Sequence, residues 1–285
     1  MSRIAYVNGR YVPHIDAAVH IEDRGYQFAD GVYEVCEVLG GRLVDEPRHM
    51  ERLSRSLSEL RIAEPMSLRA LGFVMRETIR RNRVRDGIVY VQVTRGVAPR
   101  DHGFPATPVE PAVVVTAKPT SPTLEATKAA NGIKVITMPD NRWDRVDIKS
   151  IGLLPNCLAK QEARERGAYE AWLVDDDGYV TEGSSTNAWI VDTQGRLITR
   201  PADHGILRGI TRATLMDLAK QEGIEVIERA FTPAEAKRAR EAFITAASTI
   251  VMPVVQIDDT TVGNGKPGSI SLMLREKFHS VAHMS

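Results

Sequence analysis

The chain has 285 residues, with 37 Lys+Arg balanced by 37 Asp+Glu and a formal net charge of zero. That length supplies one large or two ordinary domains with a sizeable core. The charge balance argues against a nucleic acid or an anionic membrane surface as partner. Two cysteines, Cys36 and Cys157, without a Cys-x-x-Cys spacing, exclude zinc ribbons and thioredoxin chemistry and point to a reducing compartment. With no apolar signal-like start and no apolar run of membrane-spanning length, the expectation is a cytoplasmic protein.

In chain order, residues 4–12 read as strand, Asn8-Gly9 turn and strand, a hairpin signal. Residues 32–39 continue the sheet, and Gly40-Gly41 turns it into residues 42–44. Met50, Leu53, Leu57 and Leu60 recur at helical spacing and predict a helix over about 47–61, with Pro47 in the first turn. A second helix runs from Ser67, a suitable N-cap, to about Asn82. The arginines at 76–85 lie at helical spacing with Glu77 and Asp86, which reads as a solvated face. Residues 88–94 and 112–117 are β-rich, separated by a long loop over 95–105 that carries Arg100 and His102.

Residues 119–124 read as an interdomain linker. They divide a smaller N-terminal domain, 1–118, from a larger C-terminal domain, 125–285. In the second part, residues 133–138 predict a strand and 154–166 a helix. Short strands follow at 170–174, 179–182 and 187–192, with a turn at Asp177-Gly178. Helices are expected at about 211–222 and 233–239, the latter opened by the capping box Thr232-Pro233-Ala234-Glu235. A strand at 241–246 and a closing helix at 270–283 complete the pattern. Hairpins mixed with helices, without steady strand–helix alternation, indicate an α+β fold.

Lys149, in Asp147-Ile148-Lys149-Ser150, stands in the link between a strand and a helix, a poor place for an ordinary surface lysine. A desolvated lysine can attack a carbonyl and form a Schiff base. Glu182, in Thr181-Glu182-Gly183-Ser184-Ser185-Thr186-Asn187, would suit a cationic heterocycle. Gly209-Ile210-Thr211 begins a helix, which reads either as an ordinary cap or as a phosphate site made of backbone N–H groups and a hydroxyl. Arg52, three residues after His49, is either a solvated arginine or a phosphate clamp. Gly263-Asn264-Gly265-Lys266-Pro267-Gly268 lacks the Ser/Thr of a phosphate loop and reads as a turn. No dinucleotide fingerprint, nucleophile elbow or His-Glu-x-x-His metal motif is present, and no metal is expected.

Taken together, these segments resemble the fold-type IV pyridoxal-phosphate enzymes, which include D-amino acid transaminases, branched-chain aminotransferases and aminodeoxychorismate lyases. The resemblance runs in order through residues 22–34, His49-Met-Glu-Arg-Leu53, Lys149 in its context, residues 153–162, residues 182–187 and Leu207-Arg-Gly-Ile-Thr-Arg212. It implies a two-domain α+β enzyme holding pyridoxal 5'-phosphate between a smaller N-terminal α/β domain and a larger mixed α/β domain. Lys149 would carry the cofactor and shuttle protons, and Glu182 would keep the pyridine nitrogen protonated. Arg52, Thr211 and the backbone of Ile210 would hold the phosphate, with Leu207 against the ring. At the turn after the 241–246 strand, relatives often offer hydroxyls, whereas Ala246 and Ala247 can donate only backbone N–H groups.

Arg100-x-His102 resembles the carboxylate trap of the D-amino acid transaminases, completed by Tyr33. It implies transamination between D-amino acids, such as D-alanine, and 2-oxo acids by ping-pong kinetics. It also implies a homodimer in which Arg100 and His102 reach the partner's site. The competing expectations are a branched-chain L-amino acid aminotransferase or an aminodeoxychorismate lyase of the same fold. More distant ones are a cofactor-free Schiff-base lyase or aldolase using Lys149 and a non-enzymatic binding protein.

Overall fold

The structure, a computed structural model, describes residues 3–285. The chain divides into two compact units. The first comprises residues up to Ser121, together with Ile148–Gly152 and His283–Ser285; the second comprises Pro122–Asp147 and Leu153–Ala282.

The first unit holds strands β1 (Ile4–Val7) and β2 (Arg10–Pro13), the short helix α1 (Arg24–Phe28), and strands β3 (Gly31–Leu39) and β4 (Arg42–Leu43). Helices α2 (Glu46–Glu59) and α3 (Leu68–Asn82) and strands β5 (Gly87–Thr94) and β6 (Ala112–Pro119) follow. The strands form one antiparallel sheet ordered β2-β1-β6-β5-β3-β4. Alternate residues of a strand share a face. Thus Val32, Cys36 and Val38 of β3 join Val89, Val91 and Val93 of β5 in one core with Leu53 and Leu57 of α2 and Met75 of α3. Ser67 caps α3 as expected, accepting from the Ala70 amide at 3.2 Å.

The second unit begins with α4 (Pro122–Asn131), β7 (Ile133–Pro139), α5 (Leu154–Glu165), β8 (Glu170–Val174), β9 (Val180–Gly183), β10 (Asn187–Val191) and β11 (Leu197–Thr199). It continues with α6 (Ile210–Gln221), β12 (Val226–Glu228), α7 (Pro233–Lys237), β13 (Glu241–Ala246), β14 (Ile250–Ile257), β15 (Thr260–Thr261) and α8 (Ser269–Val281). Its sheet runs β12-β11-β10-β13-β14-β7-β8-β9, with β15 paired to β14. Pairing is mixed: β14–β7, β7–β8 and β11–β12 are parallel. No helix among the described residues is long and apolar enough to cross a membrane.

The boundary between the units, Ser121/Pro122, falls within residues 119–124, and three elements are not fully legible in the sequence: α4, the start of α7 and β14. Residues 119–124 contain the end of β6 and the first turn of α4, leaving only Thr120 and Ser121 between them. The helix α4 buries only Ala129, so it carries little apolar periodicity to detect. The capping box at Thr232 is half-formed: its hydroxyl accepts from the Glu235 amide at 3.1 Å, while the Glu235 carboxylate pairs with Arg229. The interior strand β14 carries Pro253, a residue that argues against a central strand. Pairing with β7 starts only at Val254, so the proline lies outside the stretch paired on both sides.

Candidate active site

The residues singled out in the sequence fall into two sets, one in each unit.

In the first unit, Lys149 belongs to a segment that pairs with the start of β3. The Tyr33 amide donates to the Lys149 carbonyl at 3.0 Å, and the Ile151 amide donates to the Gly31 carbonyl at 3.1 Å. The Lys149 amide also donates to Ser56 Oγ of α2 at 3.3 Å. Gly31 permits this close approach, because a Cβ there would meet the Val93 carbonyl oxygen at 2.7 Å and Ile151 Cδ1 at 3.1 Å. Backbone pairing therefore positions the lysine while leaving its side chain half-buried rather than sealed in the core. Its Nζ lies 4.3 Å from the Tyr33 ring centroid, and Tyr33 stacks on Tyr90 with centroids 5.6 Å apart. Burial, with the neighbouring Tyr33, pushes the Tyr90 phenol up to about 12, so this pair is neutral on the Tyr90 side at physiological pH.

Glu34 follows Tyr33 and points to the other face of β3, into the core with Cys36. Arg52 of α2 grips its carboxylate with two bonds, Nε to Oε1 at 2.7 Å and Nη2 to Oε2 at 2.9 Å. One helical turn earlier, His49 Nδ1 meets Oε2 at 2.7 Å. Burial alone would raise the Glu34 pKa; the Arg52 charge and the bonds from Arg52 and His49 outweigh it and hold the carboxyl at about 2. For His49 burial dominates and lowers the pKa against the pull of Glu34. Sequence reading marked Arg52 but not Glu34, because a buried carboxylate in a strand is recognisable only through its partners. Glu34→Ala is expected to destabilise the protein by about 3–5 kcal/mol, since it leaves Arg52 buried without its counter-ion. Chemical denaturation of variant and parent checks this. The carboxyl is depressed from its usual 4.5, so its contribution is present above that value and lost as the pH falls toward about 2.

Arg100 and His102 lie in the long β5–β6 connection, and both are exposed in the single chain. The segment is bent, yet both side chains reach one ring. The Arg100 guanidinium is 4.6 Å from the centroid of Phe28, and the His102 ring is 5.4 Å from it. Tyr33 contacts Lys149 and Tyr90 instead. No hydrogen bond or ring contact among the described residues joins Tyr33 to Arg100 or His102.

In the second unit, Glu182 is the penultimate residue of β9 and is buried. Its carboxylate accepts from Arg142 Nη1 at 2.5 Å, from Asn187 Nδ2 at 3.0 Å, and from the Leu207 amide at 3.2 Å to each oxygen. Asn187 also donates to the Leu207 carbonyl at 3.0 Å, so one side chain joins β10, Glu182 and the approach to α6. Arg142, which sequence reading missed, is itself held by two bonds to Asp140, at 2.8 and 2.7 Å. Its only sequence signal is an Asp-x-Arg placed where β7 ends. Glu182 thus sits in a charged cradle that fixes its rotamer.

Ile210 and Thr211 open α6 and are buried. Its N-cap, Gly209, provides no side-chain cap, so the first amides of the helix receive no bond from that residue. A Cβ at Gly209 would meet Asn187 Oδ1 at 1.9 Å, which makes glycine necessary where the cradle and the helix start approach each other. Ala247 lies in the tight β13–β14 turn, closed by the Thr249 amide donating to the Ala246 carbonyl at 3.1 Å. Ser248 is exposed, and the Thr245 hydroxyl accepts from Trp189 Nε1 at 3.0 Å. The buried Oγ1 of Thr249 has no partner within the described chain.

These features fit pyridoxal 5'-phosphate. A helix start without a side-chain cap, the Thr211 hydroxyl and the unpartnered buried Thr249 hydroxyl of the β13–β14 turn are donors suited to a phosphate dianion. A pinned carboxylate suits a protonated pyridine, and an accessible lysine amine suits the aldehyde.

The Amino-transferase class IV family model matches residues 31–257. The chain belongs to this family. D-alanine aminotransferase of Bacillus licheniformis is 41% identical over 264 residues, covering 93% of this chain and 92% of that protein. D-alanine aminotransferase of Staphylococcus haemolyticus is 38% identical over 274 residues, covering 96% of each. Among solved structures, the Escherichia coli branched-chain amino acid aminotransferase superposes with a TM-score of 0.90 at 26% identity, covering 99% of this chain and 95% of that one. A second branched-chain amino acid aminotransferase, from T.th. and solved with pyridoxamine 5'-phosphate, also gives 0.90, at 27% identity, covering 98% and 94%.

Proposed function

We propose that the chain is a pyridoxal-phosphate-dependent D-amino acid transaminase that moves the amino group of a D-amino acid such as D-alanine to a 2-oxo acid such as 2-oxoglutarate. The observation that carries this reading is Lys149, an accessible amine held by backbone pairing beside Tyr33 in a chain matched over 93–96% of its length by D-alanine aminotransferases.

Bound pyridoxal phosphate supplies an electron sink for the Cα–H bonding pair and a carrier for the amino group. Lys149 Nζ anchors it, then acts as the base that takes the substrate Cα proton and returns it on the cofactor side. Glu182, paired with Arg142 in its cradle, would keep the pyridine nitrogen protonated. Thr211, the Ile210 amide and the Ala247 amide would hold the phosphate, Arg52, paired with Glu34, would assist through its positive charge, and Leu207 would lie against the ring. The first substrate leaves as a 2-oxo acid before a second 2-oxo acid enters, so the kinetics are ping-pong.

Arg100 and His102 recognise the substrate carboxylate, the guanidinium through paired hydrogen bonds and the imidazole through a further one. Both are exposed and neither contacts Tyr33 of its own chain, which supports a homodimer in which the two residues serve the partner's site. A branched-chain L-amino acid aminotransferase is the second reading, favoured by the solved structures that superpose at 0.90. The experiment is the visible absorption of purified holoenzyme on separate addition of D-alanine and L-leucine. Loss of the cofactor band with D-alanine alone is expected. Loss with L-leucine alone would move the assignment to the branched-chain enzymes. No band after reconstitution with pyridoxal phosphate would overturn the cofactor assignment.

A further inference from the structure

Arg24 is 3% exposed and sits in α1, far in sequence from the loop that carries Arg100 and His102. Its guanidinium nonetheless reaches the main chain of that loop. Nη1 donates to the Asp101 carbonyl at 2.6 Å and Nη2 to the His102 carbonyl at 3.3 Å, while Nε donates to Asp30 Oδ2 at 2.8 Å. Asp30 is also gripped by Arg95, from the base of the same loop, with bonds of 2.7 and 3.0 Å. Arg95 in turn stacks over Phe104, with 3.7 Å from Cζ to the ring centroid. Phe28, at the end of α1, carries Arg24, Arg100 and His102 around one ring, Arg24 at 4.8 Å.

We propose that Arg24 is the positioning residue for substrate-carboxylate recognition, fixing the backbone of Asp101 and His102 so that the Arg100 and His102 side chains are held ready for the substrate. The inference rests on the functional reading above. Long connections between strands are ordinarily mobile, and an exposed arginine loses rotamer freedom when it binds. Here the loop backbone is tied at two carbonyls by a buried arginine, itself fixed by Asp30, and the Arg100 guanidinium rests on an aromatic face. That arrangement moves the ordering cost from substrate binding to folding. Lysine could not reproduce it, because a single ammonium lacks the planar fork that spans two carbonyls and a carboxylate at once.

The test compares parent, Arg24→Lys, Arg100→Ala and the double variant as holoenzymes. Arg24→Lys is expected to raise KM for D-alanine about tenfold, the loss of roughly one to two hydrogen bonds, with a smaller change in kcat. In the Arg100→Ala background the same substitution is expected to add little. An unchanged KM in Arg24→Lys, or an equal tenfold rise in both backgrounds, would overturn the positioning role. Should Arg100→Ala itself leave the D-alanine KM unchanged, the functional reading of the loop fails instead. Hydrogen exchange of the peptide spanning 100–104 then still decides: faster exchange in Arg24→Lys, with β5 unaffected, upholds the clamp, and unchanged exchange rejects it. Asp30→Asn, which weakens the carboxylate that holds the Arg24 guanidinium in place, replaces Arg24→Lys in both measurements if the latter does not fold.

Discussion

Lys149→Ala is expected to abolish transamination between D-alanine and 2-oxoglutarate. Proton transfer alone contributes about 10²–10⁴-fold, and the covalent anchor is lost with it. The substitution is structurally mild. Lys149 is positioned through its main chain, by the Tyr33 amide on its carbonyl and by its own amide on Ser56, and alanine retains both bonds. The side chain is half-buried, so truncation leaves no sealed cavity. The variant should therefore fold, take up pyridoxal phosphate without a covalent link and lack the parent's visible band. A steady-state assay with absorption of the same sample checks this. Retained full activity would remove Lys149 from the mechanism.

Glu182→Gln should slow turnover by on the order of 10²-fold or more, the range for a mispositioned proton in acid–base catalysis. The amide is isosteric, so it can occupy the same cradle and accept from the Leu207 amide or from Arg142. What it lacks is the negative charge that favours a protonated pyridine nitrogen. Arg142 keeps Asp140 as counter-ion, so the variant is spared an unpaired buried guanidinium and its melting temperature should fall only modestly. The two readouts separate the roles. A large rate loss with a small loss of stability supports the electrostatic assignment. An unchanged rate would contradict it, and a collapse in stability would mark Glu182 as a structural member of the Arg142–Asp140 network.

The relatives divide in an instructive way. Sequence similarity points to D-alanine aminotransferases and structural similarity to branched-chain enzymes. One scaffold can serve both, because substrate preference lies in loops carried by a rigid framework. On the function proposed above, the β5–β6 connection with Arg100 and His102 would be such a loop. Its ties to Arg24, Phe28 and Arg95 make it a defined part of the first unit rather than a loose surface strap.

Periodicity determined much of this protein by itself. The hairpin over residues 4–12, helices α2, α3, α5, α6 and α8, and strands β3, β8, β10 and β13 follow from apolar spacing and turn chemistry, and the structure has them within a residue or two. Motif order likewise pointed to the family and marked Lys149 and Glu182, because amine, carboxylate and helix-start signals are local in sequence. Tertiary structure alone decided which partners those groups have. Pro253 hides β14 from any propensity argument, since pairing with β13 and β7 stabilises the strand. Residues 148–152 count with the first unit because they pair with β3, more than a hundred residues earlier. Glu34 beneath Tyr33, Arg142 against Glu182 and Arg24 under the Arg100 loop carry no local signature. A buried charge is tolerated only where a distant counter-charge meets it, and that meeting is a property of the folded chain.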